Sequence, residues 1–181
     1  VIGRQINQEL MKIIFPHLDI PLWVTACSNA AIIAIIGTEW QFAHDKIRES
    51  MQANIEPKLN MDLNIEVANA IETLYADNLD DYAVVLSQHY HIAEDFHKEG
   101  YYAAIAATVI MEFNPLAARE FAARAIALNS HTYHSNPDSE WARLHHIYGQ
   151  ILIRLSQFDA ARKALDEARN TYKNIDDELG V

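Results

Sequence analysis

The sequence predicts an all-α chain with one short β-hairpin near its start, and three observations predict it. Glycine and proline are scarce, 5 of each in 181 residues, so turns are few and elements long. Alanine and leucine are abundant and 50% of the chain is hydrophobic, enough to bury a core. Small residues recur at helix-contact spacing. Gly149 to Ala161 is a step of 12 and Ala161 to Ala168 a step of 7, and Ala106, Ala118 and Ala125 repeat both steps upstream.

Taken in order, apolar spacing at Leu10, Ile13 and Ile14 predicts a helix over 7–15, which Pro16 ends. A second helix covers 20–29. Ile32-Ile33-Ala34-Ile35-Ile36 is mostly β-branched, Gly37-Thr38 follows, and Glu39-Trp40-Gln41-Phe42 alternates polar and aromatic, which predicts a hairpin turning at Gly37. Ile47, Met51 and Ile55 then stand one turn apart on a helix over 44–55. Helix, helix, hairpin, helix is the plan of a winged-helix-like segment over 1–55. Residues 56–181 read as helices throughout. Pro57 opens the first, with Leu59, Leu63, Val67, Ala70 and Leu74 along it. A turn at 76–80 and helices over 82–93, 98–113 and 116–128 follow, the last with Asn114 as N-cap and Pro115 at its first position. Asn129 to Asp138 is a polar loop, and Trp141 to Asp176 gives two helical periods joined at 156–159.

The steps of 12 and 7 resemble the small-residue spacing of the tetratricopeptide repeat, a helical hairpin of about 34 residues. The two sets lie 43 residues apart, one repeat plus an excess that the polar loop can hold. The resemblance implies an array whose members bury their inner faces only against neighbours, and such arrays mostly bind other proteins. It also implies a concave groove lined by the first helix of each repeat, here Arg143, His146, Gln150 and Arg154, with a protein or peptide as partner. Arg154 would serve a peptide-carboxylate clamp; the alternative is a solvated face.

The formal net charge is −11, and residues 56–114 carry 11 acidic side chains against 2 basic. An acidic face repels phosphate backbones, so direct nucleic-acid binding is not expected. One cysteine, Cys27, allows no intrachain disulfide and fits a cytoplasmic setting. No apolar run has the roughly 18 residues of a membrane span. The opening VIGRQINQEL lacks an initiator Met, so the chain reads as part of something longer. His91 and Asp95, four apart, are the nearest approach to a metal pair, and two ligands are not a site. Phosphate-loop, dinucleotide, serine-hydrolase and zinc-protease motifs are all missing, so neither catalysis, a metal nor a cofactor is expected of this chain.

The segment Trp40-Gln41-Phe42-Ala43-His44-Asp45-Lys46-Ile47-Arg48-Glu49, preceded by VIGRQINQELMKIIFPHLD and followed by the helical array, resembles the region downstream of the nucleotide-binding domain in STAND-class signalling ATPases. These are large regulators, some fused to LuxR-type DNA-binding domains, adenylyl cyclases or kinases. The resemblance implies a winged helix packed on a nucleotide-binding domain, with ATP or ADP bound in the parent protein and not by this fragment. His44, at the wing-to-helix junction, is similar to the histidine of the Met-His-Asp motif that touches the ADP β-phosphate, and Asp45 would orient it. Phe42-Ala43 departs from that motif, and the bland account of Asp45 is a helix-start carboxylate suited to the dipole. The implied function is a non-catalytic arm that relays nucleotide state and receives a partner. A plain repeat scaffold, or a sensor of peptides or small molecules, is the rival.

Overall fold

A computed structural model describes residues 5–133 and 138–178 and is mostly helical, with nine α-helices and one two-stranded antiparallel sheet among those residues. No helix among them is long and apolar enough to cross a membrane. The chain forms two compact units, one through Asp77 and one from Asn78 onward.

In the first unit, Asn7 caps α1 (Gln8–Ile14) by accepting from the Glu9 and Leu10 amides, and Asp19 caps α2 (Ile20–Asn29) by accepting from the Leu22 amide. The hairpin pairs β1 (Ile33–Ile36) with β2 (Glu39–Phe42) in the register Ile33↔Phe42 to Ile36↔Glu39. Gly37, at φ 68°, supplies the left-handed residue the tight turn needs. A bridge between Gln5 and Gln41 extends the sheet by one residue pair. Met11, Ile20, Val24 and Ile33 form the core, with Trp23, Cys27, Trp40 and Phe42 packed around them. Ile35 and Ile36 point outward and are exposed. α3 (Asp45–Ala53) buries no residue completely. α4 (Pro57–Leu74) packs on α1, and Asn7 Nδ2 donates to the Tyr75 hydroxyl at 2.9 Å just beyond it.

The compact units divide at a different place from the expected domain break. The break between 55 and 56 followed the proline and the change in charge, whereas α4 is held to the first unit by its Val67–Ile71 face, and compactness puts the division after Asp77.

The second unit holds α5 (Ala83–Ile92), α6 (Phe96–Ile110), α7 (Pro115–Tyr133), α8 (Ser139–Arg154) and α9 (Phe158–Glu178), each packed on the next. Small residues make the contacts. Ala103, Ala106, Ala107, Ala118, Ala122, Ala125, Ala161 and Ala168 are all at most 2% exposed. A Cβ on Gly149 would lie 2.7 Å from Leu165 side-chain carbons. The polar stretch expected as a loop from Asn129 continues α7 to Tyr133, and Asn129 Nδ2 bonds back to the Ala125 carbonyl at 2.9 Å. Residues 134–137 of that stretch lie outside the described residues.

The connections α5–α6 and α8–α9 are the same turn. Glu94 and Ser156 both take φ 58°. Asp95 N donates to Tyr90 O at 3.0 Å and Gln157 N to Leu152 O at 2.9 Å, the helix-ending bond that a left-handed residue allows. The α6–α7 connection is different. There Asn114 caps the next helix through the Ala117 amide, and no residue has positive φ.

Candidate functional site

Arg143, His146, Gln150 and Arg154 lie along one face of α8, at steps of three and four residues, and all four are exposed. The face borders a groove between α6 and α8 of about 190 Å³. Leu144 and Ile147, both under 10% exposed, form its apolar floor with Ile105. His97 and Tyr101 on α6, Asn129 on α7, and Glu140 and Arg143 on α8 supply polar groups around it. The first turns of α6 and α8 meet at this groove, and Arg154 at the end of α8 bonds Glu112 just beyond the end of α6. The two helices therefore run in the same direction.

Of the four predicted groove residues, Arg143 lines this hollow, and the other three continue its helix face. Both arginines already face carboxylates of the chain, Arg143 with Glu140 at 3.2 Å and Arg154 with Glu112. A peptide carboxylate would compete with these exposed pairs, which hold weakly in water. His146 Nε2 and Gln150 Nε2 stand 3.0 Å apart.

His44 and Asp45 sit where β2 passes into α3, as the sequence predicts. Asp45 occupies the first turn of the helix, while His44 is the N-cap residue but makes no side-chain capping bond. Both side chains are exposed.

A second polar cluster was not foreseen. Glu99, 2% exposed, sits on α6 at the hairpin position that Ala161 occupies on α9. Arg124 of α7 grips it with Nε–Oε1 at 2.6 Å and Nη2–Oε2 at 3.1 Å, and His91 Nδ1 lies 3.1 Å from Oε1. Hydrogen bonding to Glu99 raises the Arg124 pKa further. His91 thus meets Glu99 and not Asp95, its suggested partner. α5 ends at Ile92, so Asp95 lies past the helix and caps α6 through the Lys98 amide. The signal in the sequence was a carboxylate standing where the other hairpin keeps an alanine. Beside this cluster Tyr90 and Tyr102 stack at 5.7 Å, and Lys98 Nζ bonds the Tyr90 hydroxyl at 2.8 Å.

A buried histidine and a half-buried one complete the electrostatics. Burial pushes His89 down to about 4, and it lowers His145 as well, against the opposing charge of Glu167. His145 packs edge-on against Trp141 at 4.4 Å. Among the described residues, no three His, Cys, Asp or Glu side chains gather as a metal-binding set. Comparison of the chain with protein-family models, curated proteins and solved structures finds no match in any of the three.

Proposed function

We propose that the second unit is a helical-repeat interaction module that takes an extended peptide in the α6–α8 groove. The observation that carries this is the parallel pair α6 and α8, which shares an apolar floor rimmed by Tyr101, His97, Asn129 and Arg143. Buried small residues at equivalent contact positions, Ala106 with Gly149, Ala118 with Ala161 and Ala125 with Ala168, support descent of α6–α7 and α8–α9 from one repeating unit. The test is panning a displayed random-peptide library against the whole chain. Selected peptides should lose at least tenfold in affinity on Tyr101→Ala and on Arg143→Ala, and keep it on Arg162→Ala, an exposed site on α9 outside the groove. Peptides indifferent to the first two substitutions would remove the groove from the reading.

One observation favours the signalling-ATPase setting over a free-standing scaffold. The His44 ring is exposed at a strand-to-helix junction and spared from capping, which suits contact with a group outside this unit. In that setting the first unit is a winged-helix arm against a nucleotide-binding domain. His44→Ala in a chain that carries such a domain should change nucleotide exchange or release signalling; unchanged exchange would leave a scaffold.

A further inference from the structure

The hollow between α6 and α8 has a polar base. Ala104, Ile105, Leu144 and Ile147 give it apolar walls, and Leu144 and Ile147 are buried. α7 packs on both helices, and its Asn129 reaches the hollow across Gly100. A Cβ at Gly100 would stand 3.0 Å from Asn129 Nδ2 and 3.4 Å from Oδ1, so the missing side chain is what lets the amide in. The orientation of that amide is fixed. Its Nδ2 donates to the Ala125 carbonyl at 2.9 Å, and the flipped amide would set oxygen against oxygen. Oδ1 is left without a donor among the described residues, although Tyr101 and Arg143 border the same hollow. Unlike the ring nitrogens of His145, it is not shut off from solvent.

We infer that this hollow takes one tyrosine side chain of a bound peptide, its ring between Ile105, Leu144 and Ile147 and its hydroxyl donating to Asn129 Oδ1. The inference rests on the peptide groove and names what anchors a peptide there. At about 190 Å³ the hollow is too small for a drug-sized ligand and suits a single large side chain. An aliphatic anchor would match the walls but cut Oδ1 off from water without replacing the bond, which is costly. A tyrosine matches both, because its hydroxyl stands at the far end of the ring's long axis, whereas an indole carries its N–H on the flank. A lysine also offers donors, but its ammonium would lose water against apolar walls beside Arg143.

The experiment resynthesises the peptides selected on the whole chain with their tyrosine replaced by phenylalanine. In parallel, the whole chain is titrated with para-cresol and with toluene and followed by NMR. Peptides that need Tyr101 and Arg143 should carry a tyrosine, and the phenylalanine version should bind about tenfold more weakly. Asn129→Leu should bring the two versions to equal affinity, whereas Asn129→Asp, which keeps an acceptor, should preserve the preference. Para-cresol should shift the Gly100 and Asn129 amide signals saturably, and toluene should bind there several-fold more weakly. Groove-bound peptides indifferent to the loss of the hydroxyl would overturn the anchor while leaving the groove in place. Equal binding of para-cresol and toluene, or no saturable shift with either, would overturn it as well. The titration needs no selected peptide, so the groove reading fails on the panning and the tyrosine pocket on the titration. Neither ligand comparison needs a substituted protein, so both stand even where a variant folds poorly.

Discussion

At the scale of single residues, Glu99 shows most directly how this chain tolerates charge in its interior. Its carboxylate is 3% exposed and depends on Arg124, whose own side chain is 41% exposed. Arg124→Met is expected to cost about 2–3 kcal/mol in urea unfolding, below the value for a fully buried pair because water already reaches the guanidinium. Adding Glu99→Ala should recover most of that loss, since Ala161 fills the same place in the other hairpin; a double variant no better than the single one would show that Glu99 serves packing as well. His89 sets an acid limit. Its pKa of about 4 in the fold lies below the ordinary 6.5, so between these values the unfolded chain binds the extra proton. Stability contributed by neutral His89 is present above pH 6.5 and falls with pH toward 4, by about 3 kcal/mol in total. His89→Gln should flatten that slope, measured as the difference between the two proteins at each pH. The carboxylate at position 99 is the one sign of this cluster in the sequence, and it does not point to Arg124. A glutamate and an arginine 25 residues apart give no local sign that they will meet.

Elements were far more legible than residues, because caps and turns are written locally. The helix over 20–29, the turn at Gly37 and the Asn114-Pro115 start follow from single strong signals and stand where the sequence puts them. α7 runs on past its expected end because the Asn129 side chain bonds within the helix it was expected to stop. Two substitutions probe the hairpin α8–α9. Gly149→Ala gains about 1 kcal/mol of helix propensity but drives a Cβ against Leu165, so a net loss of about 1–2 kcal/mol is expected. Ser156→Gly and Glu94→Gly each relieve a left-handed side-chain residue, and each should stabilise by about 1 kcal/mol. Melting temperatures of the three variants decide both points, and a Gly149→Ala protein that melts higher than its parent would mean that Leu165 swings aside freely.

At the scale of the whole molecule, charge shapes what can approach. With a net charge of −11 the chain favours basic peptides, so those selected on the groove should be net positive. Their association should slow as salt rises from 50 to about 300 mM, where the Debye length shrinks below 10 Å. A salt-independent rate would mean that the apolar floor alone governs capture. The acidic bias was visible in composition. The groove itself was visible only as a helix face, because its other wall lies on α6, some forty residues earlier in the chain. The division after Asp77 escaped the sequence for a similar reason, since a proline marks where a helix begins and not which unit it joins.

Cys27 sits against the core of the first unit, half-buried, and is the only thiol in the sequence. A partly covered thiol reacts faster the more its surroundings open. The rate at which a chromogenic disulfide labels this protein is therefore a clock for the first unit alone, with no background from the second.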